Sequence, residues 1–123
     1  MPGWVGVASI KWLGGLEVST EPLFSPWNTR WYAGLTVQPV KSAFELAWDA
    51  TLPAGDRLLL TGRSWSGNAP IRDVVVSTDG GANWRRARLR GPNERHVWAR
   101  WELPWTPAPG RDELLARATD QPG

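Results

Sequence analysis

The stretch Ile71-Arg72-Asp73-Val74-Val75-Val76-Ser77-Thr78, followed by Asp79-Gly80-Gly81-Ala82-Asn83-Trp84, decides how the rest of the chain reads. Five of its first eight residues are β-branched, a side-chain shape that packs well on a pleated surface and is stiff at χ1 in a helix. Asp79-Gly80 at the end of the run supplies the positive φ angles of a tight turn. Trp84-Arg85-Arg86-Ala87-Arg88-Leu89 then resumes with apolar residues at 84, 87 and 89 on a mostly basic strand. Residues 70–90 therefore read as a β-hairpin.

Working outward, Arg57-Leu58-Leu59-Leu60-Thr61-Gly62-Arg63-Ser64-Trp65-Ser66 follows the turn cluster Pro53-Ala54-Gly55-Asp56 and breaks at Gly67-Asn68-Ala69-Pro70, which makes it a second strand. His96-Val97-Trp98-Ala99-Arg100-Trp101-Glu102-Leu103 alternates, with Trp98 and Arg100 on one face and Val97, Ala99, Trp101 and Leu103 on the other. Residues 112–119 fit a helical turn or a strand, and the all-β context favours a strand. Eleven prolines and thirteen glycines break every helical stripe before Arg111, and turn signals from Pro39 onward recur every 8 to 14 residues. That is the rhythm of a β-sandwich. Residues 1–34 fit it less well, because Trp4, Trp12, Trp27 and Trp31 lie in Gly- and Pro-rich segments with one plausible strand at residues 7–13. They read as an irregular arm, the remnant of another domain.

A chain of 123 residues is one small domain. Fourteen Lys and Arg against twelve Asp and Glu leave a net charge of only +2, so charge alone points to no nucleic-acid partner. The absence of cysteine excludes disulfides, thiolate nucleophiles and thiolate-bound metals, and His96, the single histidine, excludes imidazole clusters and leaves no triad beyond it. The apolar runs are far shorter than the ~20 residues that span a bilayer, so no membrane segment is expected. No signal peptide is expected in this chain either, which leaves the compartment open, including a periplasmic parent.

Ten tryptophans allow a stacking platform for a glycan or a single-stranded nucleic acid, or plain packing. Trp65, Trp84, Trp98 and Trp101 sit at strand positions and are assigned to core or interface, with Trp105 the one expected to be most exposed. Arg85, Arg86, Arg88, Arg90, Arg95 and Arg100 form either an anion site or a solvated strand face. Asp79-Gly80-Gly81 leads into another strand rather than a helix, so it is no phosphate loop.

Three segments together resemble the sulfite oxidase family of molybdenum-cofactor oxidoreductases, in its C-terminal dimerisation domain. They are Pro2-Gly3-Trp4-Val5-Gly6-Val7-Ala8-Ser9-Ile10-Lys11-Trp12-Leu13; Trp65-Ser66-Gly67 with Pro70-Ile71 and Val76-Ser77-Thr78-Asp79-Gly80-Gly81-Ala82-Asn83-Trp84; and Trp98-Ala99-Arg100-Trp101-Glu102-Leu103-Pro104-Trp105 with Ala116-Arg117-Ala118-Thr119-Asp120. Val40-Lys41-Ser42 also fits. The resemblance implies an immunoglobulin-like β-sandwich at residues 35–123, truncated at its C-terminal end, behind an arm at 1–34 that ends a molybdopterin-binding domain. It implies that Ser9 and Lys11 lie near the pterin, Lys11 offering charge and donors to an anionic cofactor. The implied function is assembly, as a homodimer or with a molybdopterin-binding catalytic domain; the chain is not catalytic alone and holds no molybdenum–molybdopterin by itself. The alternative is a subunit or fragment that helps form an active oxidoreductase acting on sulfite or a related oxo-substrate. Two departures stand out: the molybdenum-ligating cysteine is missing, and Ala69 or Pro70 stands where animal sulfite oxidases carry an arginine that reaches the substrate anion.

Overall fold

The computed structural model describes residues 3, 4, 6, 12–24, 26–31 and 36–121. Among these the strands are β1 (Lys41–Phe44), β2 (Leu58–Trp65), β3 (Ile71–Ser77), β4 (Arg85–Arg86), β5 (Arg88–Arg90), β6 (Ala99–Trp105) and β7 (Leu115–Asp120), with one π-helical turn at Trp27–Trp31. They form two antiparallel sheets, ordered β1-β2-β6-β5 and β4-β3-β7. The inner faces enclose a core of Leu60, Ile71, Val74, Val76, Ala87, Ala99, Trp101 and Leu103. This is the immunoglobulin-like β-sandwich, and β7 settles residues 112–119 in favour of a strand.

Period-two alternation explains the layers. In β6, Ala99, Trp101 and Leu103 are buried while Arg100 and Pro104 face water. Burial of each large aliphatic side chain contributes about 1.5–3 kcal/mol. Trp101 is the largest fully buried side chain, and its partner in the neighbouring strand is Gly62. A Cβ on Gly62 would overlap both the Trp101 indole and the Ala43 carbonyl oxygen, well inside 3.0 Å. From the other side Phe44, also in register with Gly62, meets Trp101 edge-on with centroids 5.3 Å apart and planes at 80°. Two rings from flanking strands thus fill the space that the glycine leaves. The Trp101 Nε1 donor is buried without a hydrogen-bond partner among the described residues.

The hairpin after β3 turns through Asp79. Its Oδ1 accepts from the Ser77 hydroxyl at 2.7 Å and the Asn83 N–H at 2.8 Å, and its Oδ2 accepts from Asn83 Nδ2 at 2.8 Å. These donors, the Asn83 N–H foremost, lower its pKa to about 2. The return strand divides where a single strand is expected. Arg85 and Arg86 pair with β3, the buried Ala87 still donates its N–H to Val74 O at 2.9 Å, and Arg88–Arg90 pair with β6 in the other sheet. The chain changes layers at Ala87.

Three expectations need correction. The strand expected from His96 begins only at Ala99, because His96 sits in a turn at φ 64 and the Val97 N–H donates to Glu94 O at 3.2 Å. Trp105 is half-buried, packed against the core opposite Leu58, whereas Trp12 and Trp48 are 98% and 95% exposed. Of the strand expected at 7–13, residues 7–11 lie outside the described residues, and Trp12 and Leu13 are exposed and not in a strand.

The start of the arm docks on the sandwich. Trp4 forms an isolated bridge with Val37, the Gln38 N–H donates to Gly3 O at 2.8 Å, and the Gly67 N–H donates to Gln38 O at 3.1 Å. Gly67 is required there: a Cβ would stand 2.6 Å from both Gly3 O and Val37 Cγ1.

Candidate functional site

The outer face of the four-stranded sheet gathers the functional side chains that the structure describes. In β2, Leu60, Gly62 and Ser64 point inward, which turns Thr61, Arg63 and Trp65 outward. Trp65 is nevertheless 6% exposed, and it lies outside the core cluster. Its cover is Trp98, with ring centroids 6.3 Å apart, and Lys41, whose Nζ lies 5.3 Å from the Trp65 ring and 5.5 Å from that of Trp98. The ammonium over two indole faces is a cation–π arrangement.

Next to this aromatic pair runs a row of arginines set by strand register. Arg63 in β2 is opposite Arg100 in β6, and Arg100 is opposite Arg90 in β5. The outer two each hold a carboxylate: Arg63 Nε donates to Glu45, and Arg90 Nε lies 3.2 Å from Glu102 Oε2. The Arg63 hydrogen bond, then that from Thr61, pulls the Glu45 pKa below its ordinary value, with Arg100 adding to the field. Arg100 itself makes no ion pair among the described residues. Beside the row is an open cleft of about 640 Å³, walled by Gly91, Pro92, His96 and Val97 and bordered by Trp98. Asn93 anchors that wall, accepting from the Ile71 N–H at 2.9 Å and donating to Ile71 O at 2.7 Å, as a strand neighbour would.

Of the residues singled out in the sequence, Trp101 is spent on the core and Trp65 on the outer aromatic pair. Trp84 and Trp98 remain 37% and 45% exposed, each just before a strand, β4 and β6, of a different sheet. Trp84 donates its Nε1–H to Gly81 O at 3.0 Å and stacks under Arg117, 4.8 Å from the ring. Ser9 and Lys11 lie outside the described residues. The arginine cluster splits: Arg90 and Arg100 line the cleft, Arg85 donates to Pro104 O at 2.9 Å, Arg86 lies 3.9 Å from Asp73, and Arg88 and Arg95 are exposed outside the cleft lining. Asp73 is held below its ordinary pKa, chiefly by the Arg72 hydrogen bond. Sequence reasoning missed Arg63 and Lys41. Alternation in β2 gives the direction of Arg63, but its neighbours follow only from the register.

No protein-family model matches the chain. It is 34% identical to a sulfite oxidase of Gallus gallus over 146 residues, 98% of this chain and 31% of that protein. Against the mitochondrial sulfite oxidase of Homo sapiens the identity is 32% over 145 residues, 98% of this chain and 26% of that protein. This chain is a relative of the sulfite oxidases. The mitochondrial sulfite oxidase of Rattus norvegicus is 32% identical over 84% of the chain and 23% of its own length. A crystal structure of the sulfane dehydrogenase SoxCD from Paracoccus pantotrophus superposes with a TM-score of 0.64 at 31% identity, covering 69% of this chain and 22% of that one. The chain thus spans between 23% and 31% of the length of these sulfite oxidases.

Proposed function

We propose that this chain is the dimerisation and assembly domain of a sulfite oxidase-like, molybdenum-cofactor-dependent oxidoreductase, and that turnover belongs to a cofactor-binding domain with which it docks. One observation carries the reading: beside a packed sandwich core, the segment after the docked start of the arm leaves large apolar side chains in water. Trp12, Leu16, Val18, Leu23, Phe24 and Trp31 are between 63% and 99% exposed. Covering apolar area stabilises an assembly by about 25 cal/mol per Å², and a concentration of such side chains marks an interaction surface. Similarity to about a quarter of each relative, along nearly the whole of this chain, supports the same reading.

On this reading residues 1–34 are the connector at the end of a molybdopterin-binding domain, with Ser9 and Lys11 on the pterin side, and residues 35–123 are the assembly module. The donor set does not make a molybdenum centre. The chain has no cysteine, and no group of three or more His, Asp or Glu is placed to hold a metal among the described residues. Trp98 and Trp84 are the aromatic contacts of the module, since partly exposed tryptophans are enriched at interface hot spots, while Trp65 packs against Trp98 and Trp101 fills the core.

Sedimentation velocity on the full chain tests the proposal. A concentration-dependent dimer is expected, with Trp98→Ala weakening it roughly tenfold or more. A strictly monomeric chain at the highest attainable concentration overturns the self-association. Molybdenum retained through gel filtration would replace this reading with that of a subunit completing an active oxidoreductase.

A further inference from the structure

We propose that the arginine row on the outer face of the four-stranded sheet is a binding site for a tetrahedral oxyanion of the sulfate or phosphate class, with Arg100 as its central donor. Like charges directly opposite on neighbouring strands destabilise a sheet, and here three guanidinium groups stand side by side across β2, β6 and β5. Among the described residues, direct ion pairs reach only its two ends, Glu45 on Arg63 and Glu102 on Arg90, and Arg100 shares the field of Glu45 without pairing with it. The middle cation is left with donors to spare. A guanidinium is always charged and presents a rigid fork of N–H groups that matches two oxygens of such an anion.

The shape agrees with the charge. The cleft of about 640 Å³ takes in Arg63, Arg90 and Arg100 together with His96 and Trp98, a size within the range of small-molecule sites. Its wall is fixed rather than free-standing, because Asn93 ties that loop to Ile71 at 2.9 and 2.7 Å. A free inorganic anion uses the arginines alone; a monoester with a flat substituent also gains the exposed face of Trp98. Trp98 is shared with the proposed assembly contact, whereas the three arginines are not, so Arg100→Ala tests the anion site and Trp98→Ala tests the assembly.

Isothermal titration of the full chain with sulfate, inorganic phosphate and phenyl phosphate, at constant ionic strength set with chloride, tests it. Saturable binding of one oxyanion per chain is expected. Arg100→Ala should weaken it by about tenfold or more, the size of one charge-assisted hydrogen-bond pair. Arg100→Lys, which keeps the charge and loses the fork, should fall between. Arg88→Ala, on β5 but outside the cleft, should bind as the unmodified chain does. Tighter binding of phenyl phosphate identifies an ester as the ligand, and equal binding identifies the inorganic anion. No saturable heat with any of the three probes, or an unchanged affinity in Arg100→Ala with its circular dichroism intact, overturns the proposal.

Discussion

Gly62→Ala tests the packing on which the four-stranded sheet depends. The added methyl would overlap the Trp101 indole on one side and the Ala43 carbonyl on the other. Neither gives easily, because Trp101 is 1% exposed in the core and Ala43 O belongs to a paired strand. Overpacking a tight site costs about 1–3 kcal/mol. If β1 yields instead, the chain loses the Phe44–Trp101 edge contact, about 0.5–1.5 kcal/mol. It also loses the 2.8 Å hydrogen bond between the Ser42 and Ser64 hydroxyls, another ~0.5–1.5 kcal/mol. Either route gives a destabilisation of about 1–3 kcal/mol, which at this chain length lowers the Tm by about 4–15 °C. The assay is thermal and urea unfolding followed by far-ultraviolet circular dichroism, with Gly14→Ala as control because nothing lies within 4 Å of that site. A Gly62→Ala protein within ~0.5 kcal/mol of the parent refutes the close approach of β1, β2 and Trp101.

Trp101→Phe should cost less than about 2 kcal/mol, against about 3–5 for Trp101→Ala, because it removes the unpartnered buried Nε1 donor along with some volume; equal losses in urea unfolding would refute this. Acid should destabilise the fold: Asp79 titrates near 2 in the folded chain against an ordinary 3.8, and Glu45 and Asp73 are lowered in the same direction. The unfolded chain therefore binds protons first, so the Asp79 contribution is complete above about pH 4 and is lost as pH falls through about 2, and those of Glu45 and Asp73 are lost in the same direction. A urea midpoint that rises on going from pH 5 to pH 2.5 contradicts this, and Asp79→Asn should make the fall shallower. Gly67→Ala should dislodge Gly3 and Val37 from the sandwich, read as faster hydrogen exchange at the Gln38 amide with the core amides unchanged; equal protection at Gln38 would count against the docking.

The strands that carry the core were legible because their neighbours' demands coincide with local pattern. Ile71–Ser77 is β-branched, and Ala99–Leu103 alternates. Where pattern and backbone part company the sequence misleads. His96-Val97-Trp98 continues the alternation of β6, yet His96 takes a left-handed φ of 64 that no periodicity records. The prolines around Trp105 read as an exposed loop, but its register with Leu58 seats it on the core. The arginines were visible as a cluster along the chain, while the row that matters joins Arg90 and Arg100 to Arg63. That juxtaposition exists only through the pairing of β2 with β6.

The layer change at Ala87 has a mechanical meaning. One short thread, Arg85 to Arg90, is stitched to β3 at its front and to β6 at its back, so neither sheet can slide or peel away without dragging on the other. A pull on the molecule is shared between the two layers from the outset, and yielding is expected as a single event rather than sheet by sheet.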